Sequence, residues 1–512
     1  MLSIINSNNL IGIDSFLVKV ETDITRGIPS FNVVGLPSTE VREARERVKS
    51  AVINSGYDFP NSRIVVNLSP ADIKKEGSFL DLPISIGILR QYLNRDNSYL
   101  NECVFVGELS LDGHLRKVKG ILSLVIGAKK ENFKRIFIPY DNFKESDFID
   151  GIEVIPIKNL QECIDYINGN KSIVLKVKDL EGEEIKCNYT EDFQDVKGNY
   201  FAKRAAEISA AGNHNLIMVG PPGSGKTMIA RRIRTILPKL DKEEMIEISK
   251  IYSIAGLIKE EHSIIKERPF RSPHHSTTMQ SLVGGGFNSK PGEITLSHRG
   301  VLFLDEIAEF DRRILESLRQ PMEDKYINIA RVRNSVRYPC NILVIAAMNP
   351  CPCGLYLSKK ECRCQSFDII RYRNKLSGPL LDRFDIFVEM AQIPFKKLNE
   401  RSQEETSEKI RIRVEKARES QRLRFKNELI STNNDMSTAM VDKYCKLDKD
   451  SKNILDKIYN KHELSNRSYT KLIKVARTIA DLEGEENINS NHILESYSFR
   501  KAYYTYFKSR LE

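Results

Sequence analysis

The apolar residues of this chain fall into three successive regimes. Up to about residue 165, short β-branched runs alternate with amphipathic stretches, and Phe16-Leu-Val-Lys-Val20, Arg63-Ile-Val-Val-Asn67 and Lys134-Arg-Ile-Phe-Ile-Pro139 read as strands. Ser38 to Asn54 sets Val41, Ala44, Val48 and Ala51 or Val52 at helical spacing, with Ser38 or Thr39 as the N-cap. From about Asp192 to Pro394 the runs lose their polar members: Leu216–Val219, Gly300–Leu304 and Asn341–Ala347 are continuously apolar. Such runs suit strands buried on both faces of a parallel sheet. After Phe395 the spacing becomes helical again, as at Leu472, Val475, Ala476, Ile479 and Leu482, so the C-terminal part is expected to be mostly helical. The polar stretch from about Gly169 to Tyr189 reads as a linker or exposed hairpin. The expectation is an α/β multidomain protein: residues 1–165, a linker at 166–191, an α/β core at 192–394 and a helical part at 395–512.

A length of 512 residues agrees with several domains rather than one core. With 41% hydrophobic and 29% charged residues the composition is that of a globular chain, not a disordered one. No stretch reaches the roughly 20 apolar residues of a bilayer-spanning helix. The N-terminus, MLSIINSNNLIGID, has neither a basic leader region nor a small-residue cleavage site, which sets the expectation of a cytoplasmic location and no membrane partner. A net charge of +10 fits a nucleic-acid partner, although 79 basic against 69 acidic residues fits a solvated Lys-rich surface equally well. Of nine cysteines, four crowd into Cys351–Cys364, and in a reducing compartment a tight cluster points to metal rather than disulfides.

The chemistry gathers in the central region. Gly220-Pro221-Pro222-Gly223-Ser224-Gly225-Lys226-Thr227 matches the phosphate-binding loop pattern, between the apolar run Leu216–Val219 and a helical segment opening at Met228. The glycines let backbone N–H groups curl around phosphates, Lys226 supplies a point charge to the β and γ oxygens, and the Thr227 hydroxyl suits a Mg²⁺ ligand. Val301-Leu-Phe-Leu304 ends in Asp305 and Glu306, the first expected to hold Mg²⁺ and the second to polarise an attacking water. A third apolar run ends at Asn349, whose amide can reach the γ-phosphate or that water. Arg383, after a short apolar helix, can stabilise transition-state charge on a neighbouring subunit's ATP.

The order P-loop, Asp-Glu, Asn, Arg resembles the AAA+ ATPases, and within them the magnesium-chelatase-like proteins of the ComM/YifB type. The resemblance runs through DFQDVKG (192–198), RPFRSPHHS (268–276), PGEITLSHRGVLFLDEIAEF (291–310), AMNPCPCG (347–354), RYRNKLSGPLLDRFD (371–385) and VARTIADL (475–482). It implies Asn349 as sensor 1, Arg383 as arginine finger, and Arg467 as the nucleotide-binding sensor 2, with Arg477 as the other candidate. It also implies a helical lid for the C-terminal part. The N-terminal region resembles the ribosomal-S5-like α+β domain of Lon proteases through Lys74–Asp81 and Gly107–Gly113. Yet Phe79 stands at the nucleophile position, with Ser78 one place off, and Lys119–Leu124 brings no lysine to either expected site. A Ser–Lys dyad needs both groups within hydrogen-bond reach, so proteolysis is not expected.

Cys351-Pro-Cys353 and Cys362-Arg-Cys364 provide four thiolates, enough for a structural Zn²⁺, although the spacing is tighter than the usual C-x₂₋₄-C; free thiols in an exposed insert are the alternative. Arg363, Arg371 and Arg373 make that insert a candidate DNA contact. Two further segments are candidates for a pore lining. One is the Gly-rich His274–Asn288, and the other is Tyr326–Tyr338, whose pattern suggests a hairpin with Arg331 and Arg333 at a basic tip. The resemblance to the AAA+ branch implies that inserts at these places bind DNA. The resemblance then implies a hexameric ATP-driven motor on single-stranded or branched DNA, acting with recombination proteins in branch migration and natural transformation. A chelatase motor inserting Mg²⁺ into a porphyrin is the alternative.

Overall fold

The structure is a computed structural model describing residues 1–173, 189–258, 264–286, 290–330, 335–356, 360–392 and 404–508. The chain forms two compact units: Met1–Lys186 with Lys242–Lys266 and Ala330–Arg337, and Cys187–Asp241 with Glu267–Ile329 and Tyr338–Glu512.

The first unit is built on a seven-stranded mixed sheet in the order β3-β4-β2-β1-β5-β8-β9. Its strands are β1 (Leu2–Ile11), β2 (Asp14–Thr25), β3 (Ser30–Val34), β4 (Arg63–Ser69), β5 (Cys103–Phe105), β8 (Arg135–Pro139) and β9 (Glu153–Ile157); the short pair β6 (Glu108–Leu109) and β7 (Leu115–Arg116) stands apart. The hairpin between β1 and β2 turns at Gly12, at φ +59°, where a Cβ would lie 2.6 Å from the Val336 side chain, so only glycine fits. The helix Thr39–Asn54 begins where Ser38 accepts from the Val41 N–H, and it buries Val41, Ala44, Val48, Ala51 and Val52, the face set by the sequence spacing. The helix Lys242–Ala255 also belongs to this unit, through Lys250 to Asp14 at 2.8 Å and Ser253 to Glu145 at 2.9 Å. The chain between the P-loop and the Asp-Glu strand therefore makes an excursion into the first unit, which its amphipathic pattern did not reveal.

The second unit carries β10 (Leu216–Val219), β11 (Phe270–Arg271), β14 (Val301–Leu304), β17 (Leu343–Met348) and β18 (Ile386–Glu389), all parallel, in the order β11-β14-β17-β10-β18. Every residue of β10, β14 and β17 is buried, which explains the unbroken apolar runs. One face packs Met218, Phe303 and Ile345 against Ile208, Ile229 and Ile233 of the flanking helices and against Ile410 and Val414 of the helix Ser407–Arg424. A separate C-terminal core joins Phe425, Leu455, Leu472 and Ile488. The region after residue 404 is helical, as expected, and Ile410, Val414 and Ile479 from it join the core of the sheet. Two small pairs complete the fold: β12 (Gly284–Gly285) with β13 (Lys290–Pro291), and β15 (Tyr326–Ala330) with β16 (Ser335–Pro339). The latter is the expected hairpin. Its tip residues Arg331 and Arg333 lie outside the described residues, as does most of the 166–191 linker.

Among the described residues no helix is long and apolar enough to cross a membrane. Ile345, fully buried on β17 between two paired strands, gives a direct test of the core. Ile345→Ala should cost about 3 kcal/mol in a circular-dichroism melt, whereas exposed Leu429→Ala should stay within about 0.5 kcal/mol.

Candidate nucleotide site and cysteine cluster

The P-loop leaves β10 at Gly220, where a Cβ would lie 2.5 Å from the Met390 carbonyl oxygen, so glycine is required by close backbone approach. Gly223 and Gly225 take φ of +74° and +91°, bending the loop before the helix Lys226–Ile236 begins. The Lys226 ammonium donates to the carbonyls of Gly220 at 2.6 Å and Pro221 at 3.0 Å, and to Asn349 Oδ1 at 3.2 Å. Burial lowers the Lys226 pKa to about 8, against the opposing pull of the Asp305 and Glu306 carboxylates. The Ser224 hydroxyl is buried without a partner. A cation parked on its own loop's carbonyls beside an orphaned hydroxyl is a cradle for phosphate oxygens.

Sheet order brings the remaining groups to this point. Because β17 lies between β10 and β14, Asn349 at its end stands between the P-loop and the acid pair. The Thr227 hydroxyl donates to Asp305 Oδ2 at 2.9 Å, the pairing that suits a Mg²⁺ ion and its water shell. Glu306 sits at φ +50°, exposed, its N–H turned onto Asp305 Oδ1 at 3.0 Å. This left-handed backbone directs the residue away from the strand line, a strain of the kind found at functional positions. Met228, expected among the binding residues, is half-buried in the first turn of the helix.

Two side chains that sequence reasoning missed hold the loop. Asn199, itself at φ +49°, donates to the Ser224 carbonyl at 3.0 Å, and Gln392 donates to the Pro222 carbonyl at 3.1 Å. Asn199 directly follows the DFQDVKG segment, so its position was the available signal. Gln392 carries no pattern of its own.

Arg383 and Arg467 converge, but not on the P-loop. Arg383 donates to Glu323 Oε2 at 2.6 Å, and Arg467 pairs with the other oxygen of the same carboxylate. Among the described residues neither hydrogen-bonds a P-loop group. Arg467, expected to bind nucleotide, opens the helix Asn466–Glu483 and pairs with Glu323 beside Arg383. Arg477, the other candidate, is buried and tied to Asp481, so it has no exposed charge to offer.

Cys351, Cys353, Cys362 and Cys364 bring their sulfur atoms within 4.8 Å of one another, with separations of 3.4, 3.5 and 3.7 Å among the first three. A tetrahedron with Zn–S bonds of about 2.3 Å has edges of about 3.8 Å, so the four thiols fit that ion. Burial pushes the Cys351 thiol up to about 12; at Cys353 a smaller burial effect is outweighed by the Leu355 N–H and the neighbouring thiols, which bring it down to about 6. Gly354 lies against the Pro222 ring, with a Cβ built there 2.6 Å from Pro222 Cδ, which places the cluster directly beside the P-loop. Arg373 is not the DNA contact expected: it is buried, donates to the Pro350 carbonyl at 3.1 Å and lies over the rings of Tyr356 and Tyr506. Arg363 and Arg371 are both exposed.

In the first unit the Ser78 hydroxyl donates to Glu108, while Lys75 donates to the Pro70 carbonyl. Phe79 is buried.

These features define a P-loop protein of the magnesium-chelatase type, and comparison with known proteins gives the same class. Residues 192–398 match the family described as magnesium chelatase, subunit ChlI; residues 20–142 match subunit ChlI of Mg-chelatase, and residues 404–500 match the ChlI C-terminal family. The chain is 40% identical to the competence protein ComM of Haemophilus influenzae over 502 residues, 98% of this chain and 97% of that one. It is also 40% identical to YifB of Escherichia coli over 500 residues, again 98% and 97%. A more distant similarity, 23% over 190 residues, links 37% of the chain to 18% of the DNA replication licensing factor mcm6 of Dictyostelium discoideum. The chain belongs to the ComM/YifB family of magnesium-chelatase-like proteins.

The lowered Lys226 pKa has a measurable sign. Below about pH 8 the free protein already carries the ammonium that phosphate needs; above it, binding must first restore the proton. Affinity for an ATP analogue should be flat from pH 6.5 to 7.5 and then fall, at most about tenfold per pH unit above 8. Fluorescence titration measures it, and the Lys226→Met variant should show weak binding with no such slope.

Proposed function

We propose that this protein is an ATP-hydrolysing DNA motor that works as a homo-hexamer in the cytoplasm, promoting branch migration during recombination and DNA uptake. The observation that carries the reading is the division of the hydrolytic groups. Lys226, Thr227, Asp305, Glu306 and Asn349 meet at one end of the sheet, while Arg383 and Arg467 meet on Glu323 with no bond to that site. A phosphoryl-transfer site with its arginines elsewhere is completed by a neighbour, which is the arrangement of a ring. The Nε of Arg383 is buried without a partner, a donor left spare by the Glu323 pair.

In this reading the loop N–H groups and Lys226 hold the β- and γ-phosphates, and Asn349 and Glu306 position the attacking water, Glu306 accepting its proton. Thr227 and Asp305 would hold Mg²⁺, which would supply charge neutralisation to the phosphates. The neighbour's Arg383 and Arg467 meet the charge that develops as the γ-phosphoryl leaves. The four cysteines would hold Zn²⁺, which would brace the turn after Asn349 beside Pro222. The DNA assignment is supported by the similarity to ComM and mcm6 and by the net charge of +10, with Arg331 and Arg333 as the DNA-contacting tip and the Lon-like first unit as an assembly or DNA-binding ring. The three chelatase family matches favour a second reading, a motor that inserts Mg²⁺ into a porphyrin.

The separating experiment incubates the protein with ATP and a labelled four-strand junction. The motor reading expects DNA-stimulated hydrolysis and junction resolution, both lost in Lys226→Ala; hydrolysis indifferent to DNA, with the junction intact, contradicts it. Glu306→Gln should bind ATP with near-wild-type affinity and hydrolyse it about 10²-fold or more slowly. The purified protein should contain one zinc by elemental analysis, and Cys351→Ser with Cys362→Ser should remove it.

A further inference from the structure

Asp385, which is buried, and Lys471, which is partly buried, form an ion pair that no step of the hydrolysis uses. Lys471 Nζ lies 2.9 Å from Asp385 Oδ1 and donates to the Phe384 carbonyl at 3.0 Å. The other Asp385 oxygen accepts the Asn215 backbone N–H at 3.1 Å and lies 3.7 Å from His214 Nδ1. Each partner sits beside an arginine of the shared face. Asp385 follows Arg383 by two residues at the head of β18, and Lys471 follows Arg467 by four, one turn along the same helical side. Asn215 then closes the array: its side chain donates to the Arg383 carbonyl at 3.0 Å and accepts the Val344 N–H at 3.0 Å, which fixes it to the start of β17.

A buried ion pair stabilises little against an apolar pair of similar shape, and removing one partner is expensive. Its usefulness lies in geometry: with Asp385 buried and Lys471 only 13% exposed, the pair has few alternative arrangements. Arg383 sits on a loop after a helix of four residues, and Arg467 on the first turn of a helix in a different layer, so local structure does not set their separation. The pair joins those two supports under the arginines, in the wall of a cavity of about 1170 Å³ that both arginines line.

We infer that Lys471 and Asp385 are positioning residues that set the spacing of Arg383 and Arg467 for a neighbour's nucleotide. The inference rests on the reading of Arg383 as acting between subunits. It places the consequence of changing Lys471 on the adjacent subunit's active site, leaving the altered chain's own P-loop intact.

Mixed-subunit ATPase assays test it. Lys471→Met alone should lower kcat by about 10²-fold with little change in KM for ATP, the cost expected of a misplaced catalytic group. Lys226→Ala subunits have a dead P-loop but an intact arginine face, so mixing them with Lys471→Met subunits should give hydrolysis well above the sum of the separate proteins. Arg383→Ala mixed with Lys226→Ala is the control for the shared site. If that control gives no recovery, the shared-site reading fails and the inference with it. If the control recovers and the Lys471→Met mixture does not, the inference alone is overturned. Unpairing Asp385 could unfold the chain, so the double variant Lys471→Met with Asp385→Asn removes both charges. It should melt near the wild type and remain slow in kcat; a double variant with wild-type kcat would reduce the pair to a charge-balance role and overturn the inference.

Discussion

Strand β10 is hydrogen-bonded along both edges, to β17 on one side and β18 on the other, and all four of its residues are buried. A strand held this way cannot slide by one residue without turning its apolar side chains to the wrong layer and breaking two ladders. Its C-terminal end delivers Gly220 and the P-loop. At its N-terminal end Asn215 binds the Arg383 carbonyl and the Asp385 carboxylate. The phosphate cradle and the arginine face are therefore fixed at opposite ends of one short rigid element. The P-loop and the Arg383 segment are thereby kept in constant relation.

The electrostatics of the cradle follow from the same burial. Lys226 must keep its charge in a site that excludes water, and it does so on two loop carbonyls and Asn349, at a lowered pKa of about 8. Carbonyl dipoles are weaker partners for an ammonium than a phosphate is. The same preference for a stronger anion applies at Glu323, which holds two guanidinium groups with one carboxylate.

Much of this was legible in the sequence, because it depended on local pattern. The strands Leu216–Val219 and Val301–Leu304 and the face of the helix Thr39–Asn54 follow from periodicity and burial. The P-loop, the Asp305–Glu306 end and the cysteine quartet follow from residue types at fixed spacing. What the sequence hid were relations between distant residues. The pairing of Arg467 with Glu323 spans 144 positions, and the excursion of Lys242–Lys266 into the first unit shows no break in amphipathic pattern. Arg373 read as an exposed basic residue because its partners, the Pro350 carbonyl and the rings of Tyr356 and Tyr506, are brought to it only by the fold.

The central claim is that the arginine face of one subunit completes the phosphate cradle of the next. An electron cryomicroscopy structure of the protein with a non-hydrolysable ATP analogue and branched DNA tests it most directly. The account predicts a closed ring in which the Arg383 guanidinium has left Glu323 and lies within hydrogen-bond distance of a γ-phosphate held by Lys226 of the adjacent subunit. A nucleotide contacted only by residues of its own chain, with Arg383 still on Glu323 in every subunit, would contradict it.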